Sequence, residues 1–392
     1  MTPSARVQAA IEILDEVIAS ARDDGPPADA IVQRYFKARR YAGSKDRRAV
    51  RELVYRAIRR SGDMPETGRA AMLGVAEEDE EIAGLFDGSV HGPAALRPGE
   101  TGTPAALLPS WIAPQLSTLV TEDEWPALLE RAPLDLRINI ARRSREAMVA
   151  EFEGAGPTWL SPWGLRLPAD SRVDNHPAFA QGLVEVQDEG SQLIALACKP
   201  ERGAQILDLC AGAGGKALAL AAAVPKAAII ASDTNRARLA QLGPRAERAG
   251  ATIAVRLLDG GRESVQLAEL DGQCDVVLVD APCSGSGTWR RNPEGRWRLT
   301  PGRLDRVVKL QARLLDIAAP LVKPGGALVY ATCSLIAAEG AEQARNFLGR
   351  HSSWIVQDVP FAGGRADGPG RLLTPKHDAT DGFFVARFVR PC

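Results

Sequence analysis

The sequence predicts a doubly wound α/β sheet in its C-terminal half, preceded by a helical segment and a small α+β unit. Three observations carry that expectation. From about residue 183, apolar runs alternate with helical repeats, the pattern of strands joined by crossover helices. The runs are near-continuously hydrophobic, as strands covered on both faces are. The residues with reactive side chains cluster where such a sheet binds ligands, just past the carboxyl ends of its strands. Cys210, Asp233, Asp259, Asp280 and Cys333 all fall there.

The elements follow in order. Residues 4–60 repeat apolar positions at helical spacing: Ile11, Leu14, Val17 and Ile18, then Val50, Leu53, Val54 and Ile58. A helical domain is expected over 1–115, its end (88–110) rich in Gly and Pro and read as a connector. A small α+β unit is expected over 120–180. There "LDLRINIARRSREAMVAEFEGAG" reads as strand, turn and helix, and "WLSPWGLRLP" as a hairpin. A catalytic domain is expected over 183–392. Its strands are read at 204–210, 227–233, 252–259, 274–282, 325–334 and 381–390, with a long helix at 304–322.

The 45% hydrophobic and 25% charged residues are those of an ordinary globular protein, and 392 residues suffice for two or three domains. Net charge is −1, so no global polarity marks a nucleic-acid partner, but the charge is uneven. Residues 31–60 hold eleven Lys/Arg against Asp46 and Glu52, and residues 290–313 hold eight against Glu294 and Asp305. Two such stretches suggest a localised polyanion footprint; solvated helix faces are the plainer reading. Lys45, Arg47, Arg48, Arg51, Arg290 and Arg291 are the candidate RNA-binding residues. The six cysteines lack CxxC spacing and the four histidines stand apart, so no metal site is expected. No signal peptide and no 18-residue apolar run are visible, which points to a cytoplasmic chain with reduced thiols and no membrane partner. A monomer is expected.

The turn after the first strand of this half, "DLCAGAGGKALAL", is ambiguous by itself. Gly212, Gly214 and Ala217 satisfy G-x-G-x-x-A, with Asp233 about twenty residues on. A phosphate-binding P-loop is excluded, because Cys210 stands where its first Gly belongs and Ala217 replaces Ser/Thr. The glycines call for close approach of a ligand to backbone, and the acid for a ribose diol. S-adenosylmethionine and NAD meet those demands equally.

The later strand ends break the tie. A hydride-transfer enzyme has no evident use for Asp280-Ala-Pro-Cys283 or Thr332-Cys333-Ser334. Methylation of a pyrimidine C5 does. That carbon is too weak a nucleophile until a thiolate adds to C6, and the addition puts charge on N3 that Asp280 can meet. A base must then remove the C5 proton, and a second thiol can serve. A lone strand-end cysteine is more often a small buried hydrophobe, the reading that fits Cys198, Cys274 and Cys210. Two thiols and an Asp beside a cofactor turn reverse that preference.

Together, "LDLCAGAGGK", "DAPCSGSGT", "RRNPE" and "YATCS" resemble the RsmB/Nop2/Sun family of RNA cytosine-C5 methyltransferases, firmly over 183–392. The resemblance implies a class I methyltransferase fold using S-adenosylmethionine. It implies that Cys210, Ala211, Gly212, Ala213, Gly214, Gly215 and Lys216 wrap the methionine moiety, that Asp233 holds the ribose and that Asp259 lies near the adenine. Asp280 faces the base and also borders the cofactor. The family assigns attack to Cys333 and release to Cys283, an order that the residues alone leave open. The turn departs from the common GPGGKT at Ala213 and Ala217, which removes no required group. "SKDRRAVRELVYRAIRR" resembles the NusB-like RNA-binding domain of bacterial ribosomal-RNA members, and 120–180 resembles the family's small extension like an RNA-recognition motif. The expected partner is RNA, 16S ribosomal RNA before transfer RNA. Two other readings compete: exocyclic-amine methylation, which favours an Asn/Asp-Pro-Pro-aromatic strand end unlike "DAPC", and a non-catalytic RNA-binding assembly factor, against which the intact Asp280, Cys283 and Cys333 argue.

Overall fold

A computed structural model describes residues 1–168 and 171–392. The chain forms two units. The first comprises Met1–Gln115, Trp125–Glu130 and Thr288–Pro301; the second comprises Leu116–Glu124, Arg131–Gly287 and Gly302–Cys392.

The first unit contains the helices α1 (Pro3–Arg22), α2 (Ala28–Ala38), α3 (Ser44–Arg60), α4 (Gly68–Ala76) and α5 (Glu80–Ala83). The Thr2 hydroxyl accepts from Ala5 N and Pro3 opens α1, a favourable helix start. The apolar stripe Ile11, Leu14, Val17 and Ile18 is buried, as are Val50, Val54 and Ile58 of α3. Gly68 permits α4 to approach α1, since a Cβ there would lie 2.2 Å from the Ile11 carbonyl oxygen. Residues 88–110 carry no helix or strand, as their composition predicts.

The segment Thr288–Pro301 completes this helical core. Trp297 packs among its apolar side chains and donates from Nε1 to the Ser61 carbonyl at 2.9 Å. Glu294 accepts from Ala28 N at 2.9 Å, capping the amino end of α2, whose own cap residue Pro27 offers no side-chain acceptor. Arg296, 1% exposed, donates to the carbonyls of Ile58 (2.6 Å), Ser61 (3.3 Å) and Leu107 around the carboxyl end of α3. An acid thus meets a helix amino end and a cation a carboxyl end, the favourable polarity in each case. Arg298 donates to the Gly25 (2.8 Å) and Pro26 (2.7 Å) carbonyls of the α1–α2 loop. This corrects the expectation of a charged surface over 290–313 for its first part only, since Arg306, Lys309 and Arg313 are exposed. Arg290 and Arg296 are buried and Arg291 is half-buried; Arg296 meets backbone oxygens that would otherwise lack donors.

The second unit holds two sheets. The small one contains β1 (Leu134–Ile138), β2 (Gly156–Pro157), β3 (Gly164–Leu167) and β4 (Val184–Val186), all antiparallel in the order β2-β3-β1-β4. The helix Arg145–Glu151 covers it, with Met148 and Phe152 packing among Leu136, Ile138 and Leu165. Two boundaries differ from the sequence reading. The small sheet extends past 180, because Val184–Val186 pairs with β1, and Trp125–Glu130 belongs to the first unit.

The large sheet contains β5 (Gln205–Asp208), β6 (Ala228–Asp233), β7 (Ala254–Leu257), β8 (Cys274–Asp280), β9 (Val322–Thr332), β10 (Ile355–Gln357), β11 (Arg365–Asp367), β12 (Gly370–Leu373) and β13 (Phe383–Val389). Their order is β11-β12-β13-β9-β8-β5-β6-β7, with β10 also on β13. Strands β7, β6, β5, β8 and β9 are parallel, and β13 runs antiparallel to β9. The chain winds outward from β5 to β7, then returns to β8 and winds the other way. That reversal opens a crevice at the carboxyl ends of β5 and β8. Asp280 of β8 pairs with Ala331 of β9, so both thiol-bearing turns leave the sheet at one edge. Among the described residues, no helix is long and apolar enough to cross a membrane, and no metal-binding cluster is found.

Candidate active site

The turn after β5 is shaped by two left-handed glycines, Gly212 (φ 56°) and Gly214 (φ 79°). Gly214 admits no side chain, since a Cβ would lie 2.2 Å from Leu242 Cδ1. Arg245 braces the turn from outside, donating to the Ala213 carbonyl at 2.5 Å and to Glu185 at 2.8 Å. Asp233, at the end of β6, accepts from Gly212 N and from Asn235 N, each at 2.7 Å. The turn and the acid are therefore joined, as a nucleoside-gripping site requires. Asp259 lies exposed just beyond β7 and accepts from Gln266 Nε2 at 3.0 Å.

Two features of this edge are additions to the sequence reading. Lys216, expected along the cofactor turn, directs Nζ to Asp280 Oδ2 at 2.5 Å. Burial opposes its charge, but the Asp280 carboxylate prevails and the ammonium is held above its ordinary range. Asp208, the last residue of β5, is an acid that none of the motifs marks. It is buried, and its Oδ1 has no hydrogen-bond partner. Burial, followed by the nearby Asp280 charge, pushes its carboxyl up to about 7. The available signal is an acid inside the apolar run Ile206-Leu207-Asp208-Leu209.

At the neighbouring strand ends, Cys283 Sγ stands 3.3 Å from Cys333 Sγ. Both are half-buried. The hydrogen bond with Cys333, followed by burial, holds the Cys283 thiol well above its usual range. Of the other thiols, Cys198 and Cys274 are buried and Cys210 is half-buried. Burial pushes Cys198 up to about 12, Cys274 up to about 11, and Cys210 well above its ordinary value. Cys198 and Cys274 are poor thiolates and behave as small apolar groups.

The site can be set beside known proteins. Residues 195–389 match the family model described as 16S rRNA methyltransferase RsmB/F. Over 352 residues the chain is 32% identical to the ribosomal RNA small subunit methyltransferase B of Salmonella newport, spanning 86% of this chain and 80% of that relative. The chain belongs to the RsmB/F methyltransferase family. Its fold agrees with solved structures: PH0851 superposes with a TM-score of 0.77 at 23% identity over 99% of each chain. NSun6 from Pyrococcus horikoshii with SFG gives 0.60 at 20% identity, over 68% of this chain and 92% of that one. This RsmB/F protein is an S-adenosylmethionine-dependent RNA methyltransferase with a class I fold.

The other candidates of this RsmB/F chain lie in the first unit. Lys45, Arg47, Arg48 and Arg51 are exposed on α3. Arg47 donates to the Ala42 carbonyl at 2.9 Å, and Arg51 pairs with Asp29 at 2.6 Å.

Proposed function

We propose that the protein methylates C5 of a cytosine in 16S ribosomal RNA through a covalent Cys333–C6 adduct, with Cys283 assisting release. The observation that carries this reading is the 3.3 Å pair of thiols beside the Asp280–Lys216 ion pair, at the edge that holds the cofactor turn. The order of the two thiols, attack by Cys333 and release by Cys283, follows the family resemblance of the TCS and APC motifs.

The two glycines and the joined Asp233 fit a nucleoside cofactor. Cys210, Ala211, Gly212, Ala213, Gly214 and Gly215 would line its methionine part, Asp233 its ribose and Asp259 the adenine side. When bound, S-adenosylmethionine supplies an electrophilic methyl group. Cys333 adds to C6 and pushes electron density toward C5 and N3. Asp280 faces the ring, and the Lys216 ammonium behind it keeps positive charge and a proton close to where that density collects. After the C5 proton leaves, the carbon–sulfur bond breaks and Cys333 departs as a thiolate. A base takes the C5 proton, the role the sequence offers to the second thiol, Cys283; the C5–H electrons re-form the C5–C6 double bond and the C6–S pair returns to Cys333.

The test is the asymmetry between the two cysteines. Cys333→Ala should abolish methyl transfer while S-adenosylmethionine still binds. Cys283→Ala should accumulate an RNase-sensitive protein–RNA band on a denaturing gel, and the double variant should lose it. A band from Cys333→Ala alone would reverse the roles, and no band from either would remove the covalent mechanism. Bisulfite sequencing of 16S ribosomal RNA from cells with and without the gene tests the target.

A further inference from the structure

The paired thiols stand beyond the last ladder pairs of their strands. Asp280 pairs with Ala331, and the Ala281 N to Ala331 O bond of 2.9 Å follows. Cys283 lies two residues past Ala281 and Cys333 two past Ala331, where each chain turns away. Beyond the ladder the two turns are joined directly: Gly287 N donates to the Cys333 carbonyl at 3.0 Å, and the Ser334 hydroxyl bonds those of Ser284 (3.1 Å) and Ser286 (3.0 Å).

Glu339 is the charged centre of that network. It ends the short 3-10 turn Ala337–Glu339 after β9, and its side chain is wholly buried. Oε1 accepts from Ser284 N at 2.8 Å and from Gln311 Nε2 at 3.0 Å. Oε2 accepts from Ser284 Oγ and from Ser334 Oγ, each at 2.5 Å. Ser284 follows Cys283 directly, and Ser334 follows Cys333 directly. One carboxylate therefore grips the residue after each thiol. Gln311 extends the grip to the residue before Cys283, donating to the Pro282 carbonyl at 2.9 Å. These four donors suit a carboxylate, whose two oxygens accept at four positions and donate at none. Nothing in the reaction itself uses Glu339, and burial of an acid without function would be costly.

We propose that Glu339 is the positioning residue that sets the Cys283–Cys333 separation, acting through Ser284 and Ser334. The catalytic meaning rests on the cysteine mechanism above; the geometric claim does not. Glu339→Gln keeps the shape but puts an amide N–H₂ against donors on one side. The thiols should then drift apart, and a misplacement on the order of 1 Å lowers turnover by roughly 100-fold. KM for RNA and affinity for S-adenosylmethionine should stay near wild type, because Glu339 touches neither.

Thiol pairing provides a readout independent of activity. Diamide takes one hydrogen from each thiol onto its N=N bond, giving a hydrazine and a disulfide. Wild type should close a Cys283–Cys333 disulfide readily, seen as a two-hydrogen mass loss in the peptide that joins them. In Glu339→Gln closure should slow at least about tenfold, in step with the loss of turnover. Ser334→Ala keeps the carboxylate but removes the Ser334 hydroxyl from Glu339, Ser284 and Ser286, and should also slow closure. Closure at the wild-type rate in both variants would overturn the proposal, whatever their activity. Methyl transfer surviving in Cys333→Ala would instead overturn the cysteine mechanism, and the closure rates would still report on Glu339.

Discussion

Helix α3 and the segment Thr288–Pro301 have similar composition and opposite fates. Both are rich in arginine and both lie in the first unit. On α3 the basic side chains Lys45, Arg47, Arg48 and Arg51 are exposed, and the ion pair of Arg51 with Asp29 is a surface pair of little energetic value. In Thr288–Pro301, Arg296 is buried against backbone carbonyls, and burial lowers its guanidinium to about 10 without discharging it at neutrality. A count of charges along the chain therefore does not separate a ligand surface from an internal brace. The number of unmet carbonyl groups nearby does.

The largest effect that would sharpen this contrast is expected at Arg296. Arg296→Ala strands the carbonyls at the end of α3 and leaves a void, and should cost about 3–4 kcal/mol in urea unfolding. A loss below roughly 0.5 kcal/mol, the level of ordinary surface substitutions, would put Arg296 in the same class as α3.

The second unit offers the same comparison between acids. Asp208 is buried with its carboxyl pushed up to about 7, whereas Asp259 is exposed. A carboxyl raised in the folded state contributes stability that is complete below its unfolded value of 3.8 and is lost as pH rises through about 7. Asp208→Asn should remove that decline, raising stability at pH 8 relative to wild type by roughly 1–3 kcal/mol. Parallel profiles for wild type and Asp208→Asn between pH 4 and 8 would argue that Asp208 is not a buried, raised acid.

The smallest change in stability is expected on α3. Replacing Lys45, Arg47, Arg48 and Arg51 with Gln should alter folding by less than about 1 kcal/mol. RNA affinity should nevertheless fall, and its logarithmic salt slope should flatten by roughly 0.7–0.9 for each phosphate no longer neutralised. An unchanged slope would return α3 to a plain solvated face.

Much of the second unit was legible because its sequence constraints are local. The central parallel strands read as apolar runs, since burial on both faces leaves no polar alternation; β7, at the sheet edge, is largely exposed. The glycines were legible as a turn because a left-handed backbone, found at Gly212 and Gly214, excludes most side chains. The short strands β10 to β12 were not, because Ile355, Val356, Arg365 and Asp367 face solvent or half-face it and carry no hydrophobic period. The antiparallel direction of β13 was equally hidden, for direction is set by the connection and not by composition.

The sequence by itself determined the order of strands and helices, the glycines of the cofactor turn, and which residues stand at strand ends, because each depends on near neighbours. It also carried the motifs that join Asp280, Cys283 and Cys333. Only the tertiary structure decided that the two sulfurs lie 3.3 Å apart, that Lys216 turns to Asp280, that Glu339 ties the thiol turns together, and that Arg296 is a brace. Each of those depends on groups brought together from 5 to 238 positions apart. Pairings at such separations follow from how the sheet and helices pack, and packing leaves no fixed spacing in the chain to be read.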